Sequence, residues 1–137
     1  MFVVVDASPE ALEKLGTSDA AIGQVLKTVS GGKGVSRLVV IVRLLPVQGW
    51  RAECYRQDGV ITMTFAAGER YPMTAPDIYG WQWRFQTFQD HVATIFSHEL
   101  FHYRQDAPDY SQSEQAGNVY ALAHAQQCGY SVQAKRP

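Results

Sequence analysis

Cysteine is nearly absent. Cys54 and Cys128 are too few and too far apart for a disulfide framework or a paired metal-ligand motif, and in a reducing compartment they read as buried thiols. Long apolar runs are missing too: no stretch approaches the roughly 18 residues of a membrane span. The start Met1-Phe2-Val3-Val4-Val5-Asp6 has no basic lead and no apolar run of signal length. The expectation is a cytoplasmic chain with no membrane partner. Neither sign of charge is in excess, with 12 basic and 13 acidic side chains and a pI near 6.4. That balance gives no footing for nucleic acid or an acidic surface as principal partner. A chain of 137 residues can bury one core but hardly two, so residues 1–137 are read as a single domain.

Histidine is scarce as well, four residues in all, yet two of them form His98-Glu99-Leu100-Phe101-His102. A random chain of this composition would show His-Glu-x-x-His roughly 0.5% of the time, so chance is a weak explanation. Positions four apart on a helix share one face about 6 Å apart, which lets two imidazole nitrogens meet one metal ion. Glu99, about 100° round the helix, is placed to take a proton from a metal-bound water rather than to ligate. The surrounding pattern supports a helix from Val92 to Gln105, with Val92, Ala93, Phe96 and Leu100 on the apolar face and the histidines opposite. His91 is some 10 Å from His98 on that helix, too far to join the pair, and reads as structural or as part of a cleft rim.

Catalytic zinc sites commonly take three protein ligands and leave a position for water, so a third ligand must come from elsewhere. Twelve residues after His102, past a break at Ala107-Pro108, Glu114 opens a second helical stretch to about Cys128. Glu114, Asn118, Ala121 and Ala125 share one face of it. The alanines let two helices approach, Glu114 can reach the metal, and Asn118 can bond a ligating histidine and hold its ring. Ser111-Gln112-Ser113-Glu114 is also a capping box, in which Glu114 would turn back to its own helix instead.

His98-Glu99-x-x-His102 followed by Glu114-x-x-x-Asn118 resembles the gluzincin branch of zinc metallopeptidases, and the small size resembles the minigluzincins and the ImmA/IrrE-like peptidases. By motif the resemblance covers Thr87 to Cys128. The spacing to Glu114 is short for the branch, and Asn118 stands where many members have Asp. The resemblance implies an α+β, zincin-like domain: a small, mostly antiparallel sheet with a backing helix, an active-site helix and a glutamate helix. It implies peptide-bond hydrolysis in a peptide or protein substrate, with Zn2+ on His98, His102 and Glu114, Glu99 as general base and Asn118 behind a ligating histidine. Gluzincins usually add a downstream His or Tyr to stabilise the oxyanion; Tyr110, Tyr120, His124 and Arg104 are candidates, none with a motif. Two other classes stay open. One is a metal-bound regulatory or partner-binding module without turnover. The other resembles peptide deformylases, with Cys54 as third ligand, although only Glu53-Cys54-Tyr55 remains of that family's signature.

The remaining elements follow from local pattern. Phe2 to Val5 reads as a buried strand. Ser8-Pro9 starts a helix that Gly16 interrupts, Thr17-Ser18-Asp19 restarts it, and Ile22, Val25, Leu26 and Val29 form its apolar stripe. Ser30-Gly31-Gly32-Lys33-Gly34 follows a helix rather than a strand and lacks Walker spacing, so it is a C-cap and loop, not a phosphate loop. Arg37 to Leu45 is a strand stopped by Pro46. Trp50 to Arg56 and Val60 to Ala66 flank Asp58-Gly59, which suits a two-residue hairpin. The Val60 to Ala66 strand, last before the active-site helix, is the expected cleft edge by family likeness. Tyr71 to Gly80 reads as a loop; Trp81-Gln82-Trp83-Arg84-Phe85 alternates like a strand, yet Trp81, Phe85, Phe88 and Val92 also fit the helix stripe, which favours a helix from about Trp81 with its aromatics as core, and Gln133 to Pro137 reads as a fraying tail.

Overall fold

The computed structural model describes residues 1–104 and 110–137, with side chains outside 105–113. The expected helix end at Gln105, the break at Ala107-Pro108 and the side chains of Tyr110, Ser111 and Ser113 lie outside the described residues. In chain order come β1 (Phe2–Asp6), α1 (Pro9–Lys14), α2 (Asp19–Ser30), β2 (Val39–Leu45), β3 (Trp50–Tyr55), β4 (Val60–Ala66), β5 (Met73–Pro76), β6 (Gln82–Phe85), α3 (Phe88–Arg104), α4 (Tyr110–Gln127) and β7 (Val132–Lys135). The mixture of helices and two sheets is the expected α+β class.

The local signals act where they stand. Ser8 and Ser18 accept from the backbone N–H three residues on, at 3.1 Å each, and Gly31 closes α2 in the left-handed conformation. Ile22, Val25, Leu26 and Val29 of α2 join Val40, Val42 and Leu44 of β2, Ile61, Met63 and Phe65 of β4, and Val92, Ala93, Phe96 and Leu100 of α3 in one buried cluster. The stripe seen in the sequence is thus the surface that holds α2 and α3 on the sheet.

Strand pairing differs from expectation. The four-stranded sheet runs β1-β2-β4-β3, and two of its three pairings, β1 with β2 and β2 with β4, are parallel. The α1–α2 connection supplies the crossover that a parallel pair requires. β4 returns from the hairpin into the place beside β2 and pushes β3 outward. Val60–Ala66 is therefore an interior strand, and the sheet's edge on that side is Trp50–Tyr55. The hairpin register pairs Tyr55 with Val60, which leaves a four-residue connection rather than the two-residue one.

A second, antiparallel sheet, β5-β6-β7, corrects three further expectations. Met73–Pro76 is a strand within the supposed loop, Gln82–Phe85 is a strand rather than the start of a helix, and the tail is ordered by pairing β7 to β6. Trp81, Trp83 and Phe85 alternate inward and stack on one another, so period two wins over the helical stripe. The helix begins instead at Phe88. Thr87 Oγ1 accepts from Asp90 N at 3.2 Å while Asp90 Oδ2 accepts from Thr87 N at 2.9 Å, a reciprocal cap. Asp90 Oδ1 also accepts from Ser131 N at 2.8 Å, tying the start of β7 to α3.

Candidate metal centre

α3 is buried along most of its length, between the main sheet and α4. Near its C-terminal end His98 and His102, one turn apart, face α4, and Glu114 projects from α4 toward them. His102 Nε2 lies 2.6 Å from Glu114 Oε1, His98 Nε2 lies 3.3 Å from Oε2, and the two ring nitrogens are 2.9 Å apart. One donor atom from each residue lies within 4.8 Å of the others. Metal–nitrogen and metal–oxygen bonds of about 2.0–2.2 Å in a tetrahedron separate ligand atoms by roughly 3.3 Å, so the cluster is slightly contracted but of a size and donor type that could hold a metal ion. Glu114 is 6% exposed and turns to the histidines, while the capping alternative falls on Ser111, whose side chain lies outside the described residues.

Asn118 Oδ1 accepts from His98 Nδ1 at 2.8 Å. With Nδ1 carrying the proton, Nε2 keeps its lone pair for the cluster. Burial works against charge on Glu114, yet the bonds from His102, His98 and the Tyr79 hydroxyl outweigh it and hold the carboxyl well below its usual range. Burial likewise opposes charge on His98, and Glu114, Glu99 and Asn118 overcome it to raise the ring's proton affinity. Both shifts come from the pairing of the carboxylate with the two rings.

Glu99 stands apart from the ligand group. It is 7% exposed, lines the cleft, and burial raises its carboxyl above the usual carboxylate range, with His98 and His102 pulling the other way. Cys54 does not join the three converging groups among the described residues. Its half-buried thiol is pushed up to about 12, by burial first and by the charge of Glu99 second.

His91 is structural. It is 2% exposed, stacks on Phe85 at 4.2 Å, and meets Trp50 and Phe65 edge to face, while the Tyr71 hydroxyl lies 2.7 Å from Nδ1. Arg104, Tyr120 and His124 are engaged elsewhere: Arg104 donates to the carbonyls of Ser30 and Lys33, and His124 to that of Val29, with Tyr120 stacked on it. Arg104 and His124 thus hold the C-terminal end of α2.

Several residues of the site were not foreseen. A cleft of about 760 Å³ opens over Glu99, walled by Trp50, Arg51 and Ala52 of β3 on one side and by Ala75 to Tyr79 of the β5–β6 hairpin on the other. Asp77 and Tyr79 reach the centre from that hairpin. Gly117 lies against the His98 ring, where a Cβ would stand 2.9 Å from Cε1, so only glycine lets α4 come this close. A glycine inside a helical pattern was the available signal, because it costs helix stability and usually marks a close approach. No helix among the described residues is long and apolar enough to cross a membrane. Comparison with known protein families, curated proteins and solved structures finds no match.

Proposed function

We propose that this chain is a zinc-dependent metallopeptidase of gluzincin type that hydrolyses peptide bonds in an extended peptide or protein segment. The observation that carries the reading is the convergence of His98, His102 and Glu114 beneath an open cleft with a separate buried carboxylate, Glu99, at hand. Zinc bound there would supply Lewis-acid polarisation of the scissile carbonyl and a water acidified toward neutrality. The rest falls to the chain's own groups. His98 and His102 present Nε2, Glu114 presents a carboxylate oxygen, and Asn118 holds the His98 ring to its orientation. Glu99 accepts a proton from water and returns it to the leaving amine nitrogen, a task suited to a carboxyl whose proton affinity burial has raised.

The cleft suits an extended backbone. β3 ends the sheet order, and its residues Trp50 to Ala52 border the cleft, so a substrate segment could pair along that edge. Trp50, Ile78, Trp83 and Ile95 make much of the lining apolar, which favours an apolar side chain near the scissile bond.

The test is Glu99→Gln, which removes the base but keeps the shape. Zinc content should persist while cleavage of a peptide library or an unfolded protein falls by about 10²-fold or more. A zinc-loaded wild type that cleaves no better than Glu99→Gln refutes the peptidase and leaves a metal-bound partner-binding module.

A further inference from the structure

We infer that Asp77 is a positioning residue of this centre, acting through the Asn118 amide on His98 and locking the cleft hairpin to the helix that carries Glu114. The inference rests on the metal reading above. Asp77 follows β5 directly, and its carboxylate accepts four bonds. Oδ1 takes Tyr79 N at 2.8 Å and Trp81 N at 3.0 Å; Oδ2 takes Trp83 Nε1 at 2.9 Å and Asn118 Nδ2 at 2.9 Å.

The last of these decides the chemistry. An asparagine amide can face a histidine with either its oxygen or its nitrogen, and the two choices demand opposite ring tautomers. An ionised carboxylate only accepts, so Asp77 draws the NH2 end of Asn118 to itself and turns Oδ1 toward His98. Oδ1 then requires the proton on Nδ1, which in the neutral ring leaves the lone pair on Nε2, toward His102 and Glu114. Asn118 alone would leave that orientation open. Asp77 supplies the negative charge that an aspartate at position 118 would otherwise bring.

The same carboxylate shapes the cleft wall. Its bonds to Tyr79 N and Trp81 N form the turn of the β5–β6 hairpin, which Asp77 N closes by donating to Trp81 O at 2.9 Å. The turn delivers the Tyr79 hydroxyl to Glu114 and the Trp81 indole N–H to Gln115 Oε1 at 2.9 Å. Three side-chain bridges thus join the hairpin to α4, from 77 to 118, 79 to 114 and 81 to 115, and the cleft wall and the metal ligands form one unit.

The experiment measures zinc affinity by chelator competition in Asp77→Asn, Asn118→Ala and the double variant of the full chain. Asp77→Asn should weaken zinc by about 10- to 100-fold, as loss of a group behind a ligand does. In the Asn118→Ala background the same change should cost no more than about threefold, because the route to His98 is already cut. Asp77→Ser, whose hydroxyl can still cap the turn but cannot reach Asn118, should weaken zinc like Asp77→Asn and serves if that variant does not fold. A loss in Asp77→Asn of less than about threefold, or the same full loss with and without Asn118, overturns the inference and leaves Asp77 a hairpin residue only. A wild type that binds no zinc overturns the metal reading itself.

Discussion

Gly117 offers the sharpest test of how the centre is built, because one methyl group there sets two effects of known size against each other. In Gly117→Ala the new carbon stands 2.9 Å from His98 Cε1, 3.0 Å from Nε2 and 3.2 Å from Nδ1. Unbonded carbon pairs rest at roughly 3.5–4.0 Å, so the ring must retreat by about 0.5 Å or more. It has little freedom to do so, since Nδ1 is bonded to Asn118 Oδ1 at 2.8 Å and Asn118 is the next residue of the same helix. For the fold, alanine in place of glycine inside a helix gains about 1 kcal/mol, and overpacking costs about 1–3 kcal/mol, so the net change lies between about zero and 2 kcal/mol of destabilisation. For the metal the two effects do not offset. A displacement near 0.5 Å is the tolerance of a preorganised site, and zinc affinity should fall by about 10- to 100-fold, or about 1.4–2.8 kcal/mol. Chelator competition measures the affinity, and urea unfolding of the metal-free protein measures the fold. If Gly117→Ala binds zinc within about threefold of wild type while the metal-free protein gains the full ~1 kcal/mol, the ring is not held as described and the argument fails.

Three substitutions separate the candidate ligands. His102→Ala and Glu114→Ala should each abolish stoichiometric zinc in elemental analysis, whereas Cys54→Ser should leave it intact, and the reverse pattern would move the chain into the deformylase-like class. A pH series addresses His91, whose ring burial lowers from its ordinary 6.5 to about 3. The folded ring stays neutral while the unfolded one takes a proton below 6.5, so its contribution is complete above that value and is lost as pH falls toward 3, by at most about 1.4 kcal/mol per pH unit. Urea unfolding at pH 7, 6 and 5 should show this slope in wild type and a shallower one in His91→Phe; equal slopes would mean that the ring is protonated in the fold.

How much could be seen in the sequence depended on how far apart the cooperating residues stand. Caps, the α2 stripe and the helix that carries His-Glu-x-x-His are local, and each forms where its residues predict it. Glu114 and Asn118 were visible because the helix repeat sets them one turn apart and the return from His102 is short. The parallel pairings were not visible, because nothing in the pattern of β2 or β4 names its neighbour, whereas the β3–β4 hairpin is a local pairing and was found. Trp81 to Phe85 fitted both periods at once. The strand is fixed by partners on both sides, β5 just before it and β7, some fifty residues on, whose Val132 pairs with Phe85. Asp77 was hidden most deeply. It follows a run rich in proline and reads as an ordinary turn former, which it also is, since Oδ1 makes the turn. Its other oxygen works 41 positions away on Asn118, and only folding brings them together. A motif names the residues that would touch the metal, because their spacing is set by one helix. The residues that orient them come from whichever element packs alongside, so a hairpin can supply the charge that an asparagine lacks.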